Sequence, residues 1–270
     1  MKVRAARGGM IRNMHEEPLW TPELLQFPHE AADKAGRVRR MFNAIAPRYE
    51  LVNSIFSARR DAYWRRCAVA LAAVRGDDDV LDIACGTGDF ARAFAKVEPR
   101  RVVGCDFAHE MLLRAATVRE RTVGPASGSE RTRNSVWIEA DALCLPFCDG
   151  SFSIVSCAFG VRNFVDLDAG LREMCRVLHR GGRAVVLEFT RPPSPIFRRL
   201  YEFYSNRLMP IAASWISGDR SGAYRYLPRS VVSFLDAGQM GVRLADAGFS
   251  RVSATPLTMG IVTVYIAERN

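Results

Sequence analysis

Val80-Leu81-Asp82-Ile83-Ala84-Cys85-Gly86-Thr87-Gly88-Asp89 decides how the rest of the chain is read. An apolar run over residues 80–84 ends in a turn of small residues, and a helical pattern starts at Phe90. Strand, tight turn and helix in that order open a nucleotide-binding α/β unit. Glycine belongs in such a turn because a ligand approaches the backbone where a Cβ would clash. The dinucleotide fingerprint has a third glycine and a pyrophosphate on the helix N-terminus. Here Gly86 and Gly88 are followed directly by Asp89. An acid at that point repels a diphosphate and suits a cation. S-adenosylmethionine (SAM) has a sulfonium, an ammonium and no phosphate, so it fits that demand; a tight turn in some other α/β protein is the plainer reading. Asp82, Gly86, Thr87 and Gly88 are the cofactor-binding residues expected of this stretch.

Downstream, strands and helices alternate. A second strand over 101–105 ends at Asp106, about twenty residues after the glycine turn, where an acid reaches ribose hydroxyls. An Asp at a strand end is also a common helix N-cap. A third strand over 135–138 leads to Asp141 and Ala142. The Asp141 carboxylate can bond an adenine amino group and the next backbone N–H a ring nitrogen, or Asp141 forms an ordinary Asx-turn. A fourth strand over 153–158 runs into Phe159-Gly160-Val161-Arg162-Asn163. Ligands of open parallel sheets sit outside the carboxyl ends of the strands. Arg162 and Asn163 are therefore placed to meet a substrate, although an Arg there also suits a surface ion pair.

A helix over 166–178 and a turn at Gly181-Gly182 precede the fifth strand, 184–189. The alternation then stops. An insertion of about 192–228 begins with a proline-rich break and a helix over 196–208, in which Phe197 and Leu200 stand beside Arg198, Arg199 and Arg207. It is placed to form a lid, and its helix suits a lipid headgroup surface as well as simple packing on the domain. A helix over 231–247, capped by Gly248, leads to strands over 251–256 and 261–267 that pair as an antiparallel hairpin around Thr258-Met259-Gly260. The expected fold class is α/β: a seven-stranded Rossmann-like sheet of the class I SAM-dependent methyltransferase type, with N-terminal helices and a helical insertion after the fifth strand.

Before the sheet, residues 1–35 read as a flexible extension with a short docked piece near Trp20, and 36–270 as the domain. Val38, Met41, Phe42 and Ile45 mark a helix that Pro47 breaks; a second spans 61–74. Tyr49 and Asn53 follow the break, either as part of a cap over the ligand or as plain packing. The net charge of +9 attracts anions, whether nucleic acid, anionic lipid or acidic metabolites. Nearly all the basic residues are Arg; Lys occurs only at Lys2, Lys34 and Lys96. Seven scattered Cys without a C-x-x-C pair point to a reducing compartment and no metal site. No apolar run approaches the ~18 residues of a membrane span. A cytoplasmic protein follows, peripheral at most on the membrane's cytoplasmic face.

Taken together, these stretches resemble the ubiquinone/menaquinone biosynthesis C-methyltransferases (the UbiE/MenG family) from about Val38 to the C-terminus. Met41-Phe42 with Tyr49-Glu50-Leu51-Val52-Asn53, the Phe159-Gly160-Val161-Arg162-Asn163 run, Arg176-Val177-Leu178 with Gly181-Gly182-Arg183, Leu187-Glu188-Phe189, Tyr224-Arg225-Tyr226-Leu227 and Leu257-Thr258-Met259-Gly260 carry the likeness. Ala158 stands where some members have a Ser that contacts the ligand. The resemblance implies SAM as methyl donor, held at Thr87, Asp106 and Asp141-Ala142. It implies a polyprenyl hydroquinone as acceptor, most of all demethylmenaquinol, with the ubiquinone-pathway benzoquinol second. Arg162 is expected to stabilise a developing phenolate, directly or through a water, and Asn163 and Tyr226 to orient the ring as the other catalytic residues. Peripheral contact with membrane lipid and a homodimer or quinone-pathway partners complete the expectation, and no nucleic-acid partner is expected. Rival readings are a class I methyltransferase for another small molecule or lipid, an RNA methyltransferase, and a non-catalytic assembly partner.

Overall fold

The structure is a computed structural model that describes residues 19–31, 33–50, 57, 60–122, 135–203 and 222–270. The expectations for Asn53, for the loop after Thr122 and for residues 204–221 of the insertion lie outside the described residues.

Seven strands, β1 (Asp79–Ile83), β2 (Arg101–Asp106), β3 (Val136–Glu139), β4 (Phe152–Ala158), β5 (Leu178–Phe189), β6 (Arg251–Leu257) and β7 (Val262–Glu268), form one sheet of order β3-β2-β1-β4-β5-β7-β6. All neighbours are parallel except at β7, which runs antiparallel to both β5 and β6. Every residue of β1 is buried. A parallel strand covered on both faces calls for mostly apolar residues, and Val80, Leu81 and Ile83 supply them around the buried Asp82. Helices α1 (Lys34–Ile45), α2 (Arg60–Leu71), α3 (Asp89–Ala95), α4 (His109–Thr122), α5 (Leu167–Val177), α6 (Pro195–Phe203), α7 (Ala223–Val232) and α8 (Ala237–Asp246) pack around it. Trp64, Phe90 and Phe94 cover one face; Leu171, Met174 and Leu244 cover the other. A third cluster joins Trp20, Val38, Met41, Met111 and Tyr226. The docked piece near Trp20 is therefore part of a core.

Three local expectations are corrected. The glycine pair 181–182 lies inside β5, which starts at Leu178. Between the pairs Phe152↔Leu178 and Ile154↔Arg183 the register jumps, and the extra residues bulge out through Gly181 at φ +78. The stretch 231–247 is two helices. A break after Val232 is enforced by a capping box in which Asp236 accepts from the Gln239 N–H and Gln239 answers. Helix α2 stops at Leu71, short of Val74, where Ala73 turns left-handed. Between β6 and β7, Thr258 (φ 47), Met259 (φ 56) and Gly260 (φ 82) make one left-handed turn. The Trp64 indole N–H donates to Thr258 Oγ1 (2.7 Å) and the Thr190 hydroxyl to the Gly260 carbonyl (2.9 Å), holding a conformation that costs a β-branched residue energy.

Candidate active site

Strand order reverses between β1 and β4, and a crevice opens outside their carboxyl ends. It holds a cavity of about 260 Å³. Gly86, Asp106, Asp141 and Ala142 line one side; Phe42, Tyr49, Asn163 and Phe164 line the other.

The first side is built by the turn after β1. Gly86 sits at φ +55, and a Cβ there would meet nothing within 4 Å. Its N–H donates to Asp106 Oδ2 (2.8 Å), while Asp106 Oδ1 accepts from the Ala108 N–H (2.8 Å). Asp106 thus makes the strand-end turn into α4 and still lines the cavity. Burial pushes its carboxyl up to about 6. Asp141 Oδ1 accepts from the Leu143 N–H (2.9 Å), the Asx-turn, and lines the cavity as well.

Asp82, Thr87 and Gly88 do not line the cavity. Asp82 is fully buried behind it. The Ser156 hydroxyl donates to its Oδ1 (2.8 Å), its Oδ2 has no hydrogen-bond partner among the described residues, and burial pushes the carboxyl up to about 7. Gly88 serves packing: a Cβ there would fall 2.5 Å from the Trp137 ring, and one at Gly104 2.4 Å from it. The small residues thus admit an indole as well as a ligand. Asp89 pairs with Arg92 (2.6 Å) and lies 3.6 Å from Arg65, so its charge is directed to those two cations and it does not line the cavity.

The second side hangs on Phe159, a cavity residue at φ +57. Its N–H donates to the Leu187 carbonyl (2.7 Å), and its own carbonyl accepts from Arg162 Nη1 (2.6 Å) and Asn163 Nδ2 (3.4 Å). Arg162 is 4% exposed and stands behind the wall. Its guanidinium pairs with Glu188 (2.6 Å), reaches Ser230 Oγ (3.3 Å) and lies over the Phe189 ring. Asn163 Oδ1 accepts from the Tyr226 hydroxyl (3.0 Å), and Tyr226 stacks on Trp20 with ring centroids 4.1 Å apart. Burial raises the Tyr226 phenol well above its ordinary value, so it stays a donor. Arg162, Asn163 and Tyr226 are brought into one network in which only Asn163 lines the cavity.

Sequence reasoning passed over Lys34, Phe107, Met111 and Leu143 near the cavity, and Glu188 as the partner of Arg162. A signal for Glu188 was present: an acid between Val186-Leu187 and Phe189 in a buried strand needs a buried cation.

A seven-stranded sheet with a reversed strand next to β5 and a cavity at its switch point is the architecture of class I SAM-dependent methyltransferases. A solved structure of that class, a SAM-dependent methyltransferase from Thermotoga maritima, matches with a TM-score of 0.60 at 17% identity, covering 86% of this chain and 99% of that one. The sequence pattern of the ubiE/COQ5 methyltransferase family matches residues 30–269, and the chain belongs to that family. Similar relatives include a demethylmenaquinone methyltransferase of Thermus thermophilus, 44% identical over 230 residues (85% of this chain, 100% of that protein). The ubiquinone/menaquinone biosynthesis C-methyltransferase UbiE of Geobacter sulfurreducens is 40% identical over 243 residues (89% and 91%). Among the described residues no helix is long and apolar enough to cross a membrane.

Proposed function

We propose that this chain methylates a ring carbon of a polyprenylated hydroquinone, demethylmenaquinol foremost, with SAM as donor. The observation that carries the reading is the two-sided cavity, with carboxylates from the ends of β2 and β3 facing aromatic residues from α1 and the turns beside it. The donor side fits a cationic nucleoside. Asp82 offers a buried oxygen with no partner among the described residues, Gly86 leaves open backbone, and two desolvated carboxyls gain from a nearby cation. Asp106 would accept from the ribose hydroxyls, and Asp141 with the Ala142 N–H would hold adenine. When bound, SAM supplies an electrophilic methyl that the ring carbon takes, the S–C electron pair staying on sulfur.

Asn163, fixed by Tyr226 and by the Phe159 carbonyl, orients a ring hydroxyl. Loss of that hydroxyl's proton to water sends its electron pair toward the ortho carbon. The carbon then bonds the methyl, and its own proton leaves to restore the aromatic ring. Positioning two reactants in this way supplies much of a rate enhancement. Arg162 contributes from behind the wall, by holding Phe159 and the 161–163 turn. Assay of the protein with SAM on demethylmenaquinol and on a demethylated ubiquinol precursor should show a one-methyl mass gain on the first. SAM binding without methylation of either quinol would defeat the reading.

An insoluble prenyl tail calls for contact with lipid. Ile196 and Phe197 are 71% and 41% exposed, beside exposed Arg198 and Arg199. Replacing both arginines by Glu should weaken binding to anionic vesicles in a flotation assay; unchanged binding removes that part of the proposal.

A further inference from the structure

Lys34, the first residue of α1, is 4% exposed. Its Nζ donates to the carbonyl oxygens of Phe164 (2.5 Å) and Arg162 (3.5 Å). Those carbonyls bracket Asn163 at the end of the 3-10 turn Val161–Asn163. Ala35 beside Lys34, and Asn163, Phe164 and Val165 in front of it, line the cavity. Burial pulls the ammonium down to about 8. A desolvated ammonium with only carbonyl partners is costly to keep, and this Arg-rich chain keeps a Lys there.

The groups around it do not neutralise it. Arg162 is matched by Glu188. His29 reaches the Ser230 carbonyl (3.1 Å), and burial and then the Lys34 and Arg162 charges lower its pKa, so it is neutral. Tyr49 and Tyr226, the other titratable groups facing Arg162, are phenols. Of these groups, Lys34 and Arg162 are cations and Glu188 is the one carboxylate, paired with Arg162.

We infer that Lys34 is a positioning residue whose ammonium, acting through residues 163–165, stabilises the ionised hydroxyl of the acceptor ring. The inference rests on the hydroquinone reading. The hydroxyl proton goes to water, and Lys34 keeps its own.

The test is the pH profile of kcat/KM for demethylmenaquinol in the wild type, Lys34→Arg and Lys34→Met. A kcat/KM profile reports the free enzyme's essential groups. Wild-type activity should fall above pH about 8, where Lys34 loses its proton. Lys34→Arg should stay active and lose that alkaline limb, because guanidinium does not titrate there. Lys34→Met should drop kcat/KM by about tenfold or more, with no limb near 8 and little change in SAM affinity. A purely mechanical staple would lower Lys34→Met equally at every pH and leave the limb in Lys34→Arg. That result, or a Lys34→Met enzyme as active as wild type, overturns the inference. Should Lys34→Met fail to fold by circular dichroism, the Lys34→Arg profile decides alone. A wild type that methylates no quinol overturns the substrate reading and this inference with it; an active wild type with an unmoved Lys34→Arg profile overturns the inference alone.

Discussion

Gly86, Asp106 and Asp141 reach the cavity from three neighbouring strand ends, whereas Tyr49, Asn163 and Phe164 reach it from turns after α1 and β4 that lie far apart in the chain. The two sides also differ in charge. The donor side collects carboxyls whose proton affinity burial raises, Asp82 to about 7 and Asp106 to about 6. The acceptor side collects cations, Lys34 and Arg162 against Glu188. Each half is left short of one opposite charge, and a cationic donor with an ionisable phenol would supply both. The lesson is that reactants can be sorted by buried charge before any side chain touches a reacting atom.

The comparison breaks most visibly at the acceptor side. Arg162→Ala strands Glu188 in the core and should cost about 3–5 kcal/mol of stability, read by urea unfolding. Arg162→Met with Glu188→Leu should recover most of that loss and remain inactive, because the Phe159 carbonyl loses its anchor. A stable double variant with normal turnover would show that the ion pair does not shape the site.

On the donor side the effect is smaller and depends on pH. The folded state holds protons on Asp82 and Asp106 that the unfolded chain releases near the ordinary carboxyl value of 3.8. The unfolded state then binds fewer protons, so ligand-free stability should fall as pH rises from about 4 through about 7. SAM affinity should rise over the upper part of that window as the carboxyls ionise. Asp82→Asn should flatten the stability profile and weaken SAM binding by about tenfold or more in calorimetry. Tyr226→Phe comes next, with the loss of one hydrogen bond to Asn163 costing about 1 kcal/mol in the barrier and leaving SAM affinity unchanged. Smallest is Ala84→Gly, which relieves a left-handed residue at the rim and should change stability by no more than about 1 kcal/mol in thermal unfolding.

The donor side was legible in the sequence because its parts are local. A strand, a glycine turn and an acid at the next strand end follow one another within 79–106, and each obeys a short-range rule. One of its glycines was read for the wrong neighbour: Gly88, like Gly104, makes room for Trp137, which belongs to a strand further on. The acceptor side was legible only in part, as a strand's carboxyl end and a family likeness at Phe159-Gly160-Val161-Arg162-Asn163. Its physics rests on pairs such as Lys34 with Arg162, 128 positions apart, and no periodicity reports such a contact. The split between α7 and α8 was hidden for another reason. Apolar spacing runs straight through the break, although Asp236 and Gln239 carry a capping signature.

The tie between His29 and Ser230 spans 201 positions, and the Trp20–Tyr226 stack spans slightly more. During synthesis the donor side can assemble once β4 has emerged, while the wall that carries Lys34 must wait for α7. Long-range closures of this kind form late. A growing chain therefore passes through a stage with a finished donor crevice and Trp20 still without the surface that will bury it, which makes that interval the one in which a chaperone would be useful.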